Sequence, residues 1–134
     1  MVNYKPSARS SVIAAVAAAA ILLVIFIFPN MIVKDLSEKV SAKTRSTIEA
    51  LYAKDWDMAN TDMEFVANTL AENEHTLMLF MDHRLVDELI AAARGCLHLV
   101  RKHDSAQVFV ELEFIINRIE YLAETEKFMW GNLL

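Results

Sequence analysis

The sequence predicts an all-α protein in which an N-terminal transmembrane helix is followed by a stalk helix and an antiparallel three- to four-helix bundle. Three observations support this fold class. The 134 residues include only two glycines and two prolines, residue types that make up about 12% of an average chain, so a turn-rich β-sandwich or small barrel is nearly excluded. One long segment near the N-terminus has no polar side chain. The remaining sequence repeats its apolar residues at helical spacing.

The first predicted element is a membrane-spanning helix at residues 11–28. Residues 12–28 contain no polar side chain, and Ser11 extends the segment to 18 residues. At helical rise, this length spans about 27 Å, close to the thickness of the hydrocarbon core. A cleaved signal peptide is the main alternative, but the segment is long for one and residues 28–31 offer no small-residue cleavage site. We therefore favour an uncleaved signal anchor.

The distribution of charge predicts the orientation of this helix. Lys5 and Arg9 are the only charged residues before Lys34. A short basic N-terminus usually stays inside the cell, and a long following domain is translocated largely regardless of its charge. We therefore expect residues 1–10 to be a short cytoplasmic N-terminus and the C-terminal domain to lie outside, although basic residues are also numerous just after the helix.

The predicted stalk helix covers residues 29–53. Its apolar residues recur at helical spacing with threonines between them, and the chain breaks at residues 53–55, where Asp55 is suited to cap the next helix. The apolar residues of the stalk are Val33, Leu36, Val40, Ile48 and Leu51.

The predicted bundle covers residues 54–134 and packs with the stalk. We expect helices over 55–81, 82–102 and 104–130, with Asp82 and Asp104 as N-caps. The first helix has a heptad seam with Asn73 at its one polar position; its apolar members are Trp56, Ala59, Met63, Val66, Leu70, Leu77 and Phe80. We expect Trp56 and the seam residues Met63, Val66 and Leu70 to form the core together with Leu112, Ile115 and Ile119 of the last helix.

A weak internal repeat accompanies this pattern. Residues 57–59 followed by Glu64 match residues 104–106 followed by Glu111, at a period of 47. The match is consistent with two similar helical hairpins, and equally with chance similarity between amphipathic helices.

The pattern of polar residues predicts no catalytic residue, cofactor site or metal site, and hence no enzyme. His83 and Asp87 share a helix face, but no serine or second histidine completes a site, so capping and a surface pair are expected. Cys96 and His98 point to different helix faces. After the N-terminal segment the chain has 11 basic and 18 acidic residues, a balance that argues against nucleic-acid binding.

Helix direction predicts one candidate interaction surface. Antiparallel helices joined by short connections would bring three apolar stretches to the membrane-proximal end, namely residues 31–33, 77–81 and 128–130. We expect this surface to contact lipid headgroups or a membrane partner, and the alternative is that the three stretches seal the base of the core. Its candidate residues in the bundle are Leu77, Met78, Leu79, Phe80, Met81, Phe128, Met129 and Trp130.

Several short motifs resemble one known family. After a single N-terminal membrane helix come Lys54-Asp55-Trp56-Asp57-Met58-Ala59, Phe80-Met81-Asp82-His83, Asp87-Glu88-Leu89, Asp104-Ser105-Ala106, Leu112-Glu113-Phe114 and Asn132-Leu133-Leu134. This pattern resembles the bacterial domain-of-unknown-function family 4363. The resemblance implies a small single-pass protein of the bacterial plasma membrane, or of a spore membrane, without assigned enzymatic activity. It also implies an association by gene context with multi-pass membrane proteins of the YetF type.

The resemblance does not assign a role to the residues of the shared motifs. The sequence has His83-Arg84-Leu85-Val86 where more acidic residues are expected. Trp56, Asp82 and His83 therefore form a candidate motif of unknown role.

Two functions fit these observations. The first is an interaction or adaptor subunit, anchored in the lipid bilayer, that binds another membrane protein or a second copy of itself. The alternative is a ligand-sensing bundle whose output lies in a partner protein, because the few residues before the membrane helix are too short to signal alone.

Overall fold

The computed structural model describes the backbone of residues 8–131. Side chains are described over the same range except at residues 8, 26, 29, 30 and 125–131. These residues form helices without strands, which confirms the all-α class for the described chain. The helices are α1 (Ala8–Tyr52), α2 (Trp56–Glu72), α3 (Glu74–Leu77), α4 (His83–Arg101) and α5 (Ser105–Gly131).

The chain divides into two compact units, residues 1–32 and 33–134. In the first unit, the described large apolar side chains of α1 are mostly exposed. Within the described residues, no helix has both the length and the apolar character needed to cross a membrane. The helix α1 is continuous over the residues that we expected to form separate membrane and stalk helices.

The second unit is an antiparallel bundle of α2, α4, α5 and residues 33–52 of α1. Contacts near the helix ends indicate which helices are neighbours and how they run. Arg101, the last residue of α4, bonds Asn60 and Glu64 near the start of α2, and α4 also packs against α5. The end of α1 lies beside the start of α5, because the rings of Tyr52 and Phe109 are 5.3 Å apart.

The core of the bundle follows the predicted seams closely. Apolar side chains from all four long helices are buried there. Except for Trp56, the positions expected in the core are among them, namely Met63, Val66, Leu70, Leu112, Ile115 and Ile119. The largest buried side chains are Met63, Leu70, Leu77, Leu89, Leu112, Ile115, Ile119, Val33, Val40, Val66, Val86 and Val100. Each such side chain contributes about 1.5–3 kcal/mol through burial, so these seams account for the fold of the second unit.

The predicted continuous helix over residues 55–81 is wrong, because α2 ends at Glu72. Asn73 turns out of helical geometry, and its side-chain amide donates a 2.8 Å hydrogen bond to the carbonyl of Thr69. Asparagine competes in this way with the helical hydrogen bonds of the backbone. The short helix α3 and a turn over residues 78–81 follow, and then Asp82 caps α4 as predicted by accepting the N–H of Arg84.

The two tight corners of the bundle have the same backbone structure. Lys54 and His103 both have a φ of 57°, and each is followed by an aspartate that caps the next helix, Asp55 or Asp104. In both corners the N–H of the residue with positive φ donates to the carbonyl three residues earlier. The N–H of the aspartate that follows it donates to the carbonyl five residues earlier. This is a Schellman motif. The corners are therefore equivalent at a spacing of 49 residues, rather than the 47 that the sequence match indicated.

Candidate functional site

A buried ion pair forms the polar centre of the bundle. The Asp62 side chain is fully buried on α2, and its Oδ1 accepts a 2.7 Å hydrogen bond from Nζ of Lys43 on α1. The Lys43 ammonium also lies 5.9 Å from the centre of the Phe65 ring. Within the described structure, Oδ2 of Asp62 has no hydrogen-bond partner. A buried carboxylate requires such a cation, because burial without one would be costly.

Three of the described hydroxyl-bearing side chains of α1 are also buried in the bundle. Ser37, Thr44 and Thr47 are buried, and each hydroxyl donates to the carbonyl four residues earlier in the helix. These local bonds satisfy the hydroxyl donors without a partner from another helix. The sequence pattern does not predict this polar centre, although Thr44 and Thr47 lie between the apolar positions of the stalk and Asp62 is next to the seam residue Met63.

An aromatic cluster joins the two corners of the bundle. It consists of Tyr52, Trp56, His103 and Phe109, and each of its two ring contacts links one corner to the other. The rings of Trp56 and His103 are stacked at 4.5 Å with 12° between their planes, and the Tyr52 and Phe109 rings are tilted by 43°. Trp56 is half-buried and packs against the core, rather than within it as predicted, because it is the first residue of α2 and lies at the end of the bundle.

The residues of the predicted interaction surface at 77–81 differ in how far they are buried. Leu77 and Met81 are buried and belong to the core, whereas Met78 and Phe80 are half-buried. Leu79 is 72% exposed. The side chains of Phe128, Met129 and Trp130 lie outside the described residues. Leu77 and Met81 are thus part of the core, and Leu79 is the most exposed of the five side chains.

The three residues of the candidate motif are not brought together. Asp82 caps α4 and His83 is the exposed first residue of that helix. Trp56 begins α2, and because α2 and α4 are antiparallel, it lies at the opposite end of the bundle from Asp82 and His83. The motif is therefore not one site, and the structure gives Asp82 a capping role.

The cysteine and histidines do not form a metal centre in the described residues. No group of three or more histidine, cysteine or acidic side chains is placed there to hold a metal ion. Cys96 is fully buried, and burial, with a smaller contribution from the charge of Glu111, raises the pKa of its thiol to about 12. A thiol with such a high pKa is unreactive at neutral pH, because the thiolate is the nucleophile.

Comparison with known proteins identifies the family. No curated protein and no solved structure matches the chain. Residues 27–133, however, match the family described as Domain of unknown function (DUF4363). This match includes the whole bundle and confirms the family that the sequence motifs resemble. The chain therefore belongs to the DUF4363 family.

Proposed function

We propose that this protein is a membrane-anchored helical interaction subunit. Residues 11–28 insert into the bilayer, and the bundle binds another membrane protein or a second copy of itself. One observation carries the proposal: large apolar side chains of α1 are 57–69% exposed, namely Val12, Ile13, Val16, Ile21, Leu22, Leu23, Val24, Ile25 and Phe28. A helix that is apolar on every face requires lipid or protein around it. The proposal concerns the whole segment, including Phe26, whose side chain is not among those described.

Membrane extraction tests the anchor. The full-length chain should remain in the membrane fraction after an alkaline carbonate wash. A Leu22→Arg variant should shift toward the soluble fraction, because an arginine at the centre of a membrane helix costs about 2.5–3.5 kcal/mol. Met58→Arg is the matched control, because Met58 is a partly exposed apolar residue of the bundle. Equal retention of Leu22→Arg and wild type, or release of wild type by the wash, would contradict the anchor.

Cysteine labelling tests the proposed orientation, with the N-terminus inside the cell and the bundle outside. Lys102 is exposed in the corner between α4 and α5, so a Lys102→Cys variant offers an accessible thiol. Native Cys96 provides little background because it is buried. We expect a membrane-impermeant maleimide to label the variant in intact cells. Labelling only after lysis would reverse the orientation.

The proposed partner is a membrane protein, and the family resemblance adds multi-pass proteins of the YetF type as specific candidates. Purification of the tagged full-length protein from native membranes in a mild detergent tests this. Leu79→Arg is the variant of choice, because this side chain is exposed, whereas its neighbours Met78 and Phe80 are half-buried against the core. Loss of a co-purified protein on this substitution would support residue 79 as part of the binding surface. Recovery of no partner and no second copy would remove the adaptor function.

A ligand-sensing bundle is the second candidate, and the observation in its favour is Asp62. Its Oδ2 is a buried acceptor without a partner in the described structure, which is a position where a small cationic or hydrogen-bond-donating solute would be satisfied. A thermal-shift screen of the detergent-solubilised chain tests this function, with Asp62→Asn as the control. A stabilising solute that loses its effect in Asp62→Asn would favour sensing over a purely structural bundle.

A further inference from the structure

The helix α5 has two apolar faces, and the bundle uses only one of them. Its inner face is buried in the core through Val108, Leu112, Ile115, Ile119 and Leu122. On the opposite side lies an outer seam of four residues, Val110, Phe114, Asn117 and Tyr121. Val110 and Tyr121 are 67% and 60% exposed, and Phe114 is half-buried. None of these three apolar residues belongs to the core cluster of the described residues.

The spacing of the outer seam is that of a coiled coil. Its members follow one another at intervals of four, three and four residues, which are the alternating a and d positions of a heptad. Val110 and Asn117 then occupy d positions, and Phe114 and Tyr121 occupy a positions. Asn117 is the one polar residue of this seam.

The charges beside the seam favour a parallel pair of identical helices. Glu113 occupies the g position and Arg118 the following e position, and in a parallel two-stranded coiled coil these positions face each other across the two chains. Glu113 forms no ion pair with another described residue, and the described contact of Arg118 is with the Phe114 ring, at 5.1 Å. In an antiparallel pair, the g positions would face each other and bring Glu113 close to Glu120 of the other helix, which is unfavourable.

We propose that two copies of this protein associate in parallel through the outer seam of α5. The inference deepens the proposed interaction function by naming its surface and its partner. The parallel direction follows from the charges of Glu113 and Arg118 and agrees with the proposed membrane anchor. In a parallel pair the Val33 ends of both bundles lie on the same side. Two chains anchored in one bilayer require this arrangement.

Cross-linking of the full-length protein in membranes tests the pair. Asn117→Cys places a thiol at the d position, where the same residue of both chains meets across the axis. We expect a short bis-maleimide to yield a homodimer. Asn68→Cys, on the exposed side of α2, is the matched control and should remain monomeric, as should wild type with its buried Cys96. No dimer above the Asn68→Cys control, or cross-linking of Asn117→Cys only to a different protein, would overturn the proposal.

A charge exchange then tests the direction of pairing. In the Asn117→Cys background, Glu113→Arg or Arg118→Glu should weaken dimerisation by about threefold to tenfold, because each places like charges opposite one another. The double variant Glu113→Arg/Arg118→Glu should recover the cross-linking of the parent. Absence of recovery, with unchanged helical circular dichroism, would overturn the parallel pairing. Retention after a carbonate wash, measured in the same membranes, shows separately whether the anchor holds.

Discussion

Nζ of Lys43 lies 2.7 Å from Oδ1 of Asp62, and this ion pair joins α1 to α2 at a point where the carboxylate is completely buried. The lysine reaches the pair from the surface, because its side chain is 42% exposed. The ion pair can form only when Lys43 on α1 is level with Asp62 on α2, whereas apolar contacts alone would also allow α1 to be shifted along α2. We infer that it sets the register of α1 against α2.

Removing the cation of this pair should destabilise the bundle more than removing both charges. Lys43→Met leaves the buried Asp62 unpaired and should lower the free energy of unfolding by about 2 kcal/mol, less than for a fully buried pair because Lys43 is partly hydrated. Lys43→Met/Asp62→Asn should lose only about 1 kcal/mol, because no buried charge remains. Chemical denaturation followed by circular dichroism measures both. A double variant less stable than Lys43→Met would contradict this account.

Glycine at the first corner should stabilise the protein. Lys54 has a φ of 57°, which costs a side-chain-bearing residue about 1–2 kcal/mol and which glycine adopts readily. We expect Lys54→Gly to raise the free energy of unfolding by about 0.5–1 kcal/mol.

The second corner provides the control for this substitution. His103→Gly relieves the same backbone conformation but removes the ring that stacks on Trp56, so we expect a smaller gain or a net loss. Thermal unfolding of the two variants side by side measures the difference. A larger gain for His103→Gly than for Lys54→Gly would show that the stack contributes nothing.

The aromatic contact between the corners should appear as a coupling energy. Trp56→Ala should cost about 1–2 kcal/mol rather than the 3–5 kcal/mol of a fully buried ring, because Trp56 is half-buried. A double-mutant cycle with His103→Ala should give a coupling of about 0.5–1.5 kcal/mol. Strictly additive losses would mean that the stacked rings do not stabilise each other.

Stability should fall at alkaline pH through Cys96. Burial raises the pKa of this thiol from 9.0 to about 12, so the folded state keeps a proton that the unfolded state releases. The contribution of the thiol is therefore fully present below pH 9.0 and is lost as pH rises toward about 12. Denaturation curves of wild type and Cys96→Ala at pH 7.5, 9 and 10.5, as chosen conditions, isolate this effect from other titrating groups. We expect the stability difference between the two proteins to narrow as pH rises, and a constant difference would exclude this linkage.

Capping is the testable role of Asp82. Asp82→Ala should lower the free energy of unfolding by about 1 kcal/mol through loss of the bond to the N–H of Arg84, and Asp82→Asn should retain most of the stability. His83→Ala should change stability by less than about 0.5 kcal/mol because the side chain is exposed. Loss of partner binding in either variant at unchanged stability would indicate a function beyond capping.

The sequence by itself determined the fold class and the inner faces of the helices. Apolar residues at helical spacing form a stripe along one face of a helix, and that face leaves water only when it is turned toward the core. Met63, Val66 and Leu70 on α2 are therefore both regularly spaced and buried. The capping roles of Asp55 and Asp82 were also predictable, because a short side chain reaches backbone N–H groups one turn away without any contribution from the rest of the protein.

Only the tertiary structure decided which polar groups meet. Lys43 and Asp62 are 19 residues apart, and no local pattern connects them, because their contact depends on how two helices pack. The same reason explains Trp56: its spacing matches the core seam, but its place at the end of α2 leaves it half outside and stacked on His103 of another corner. Periodicity reports which face of one helix avoids water, whereas a contact between helices depends on the position, direction and register of both.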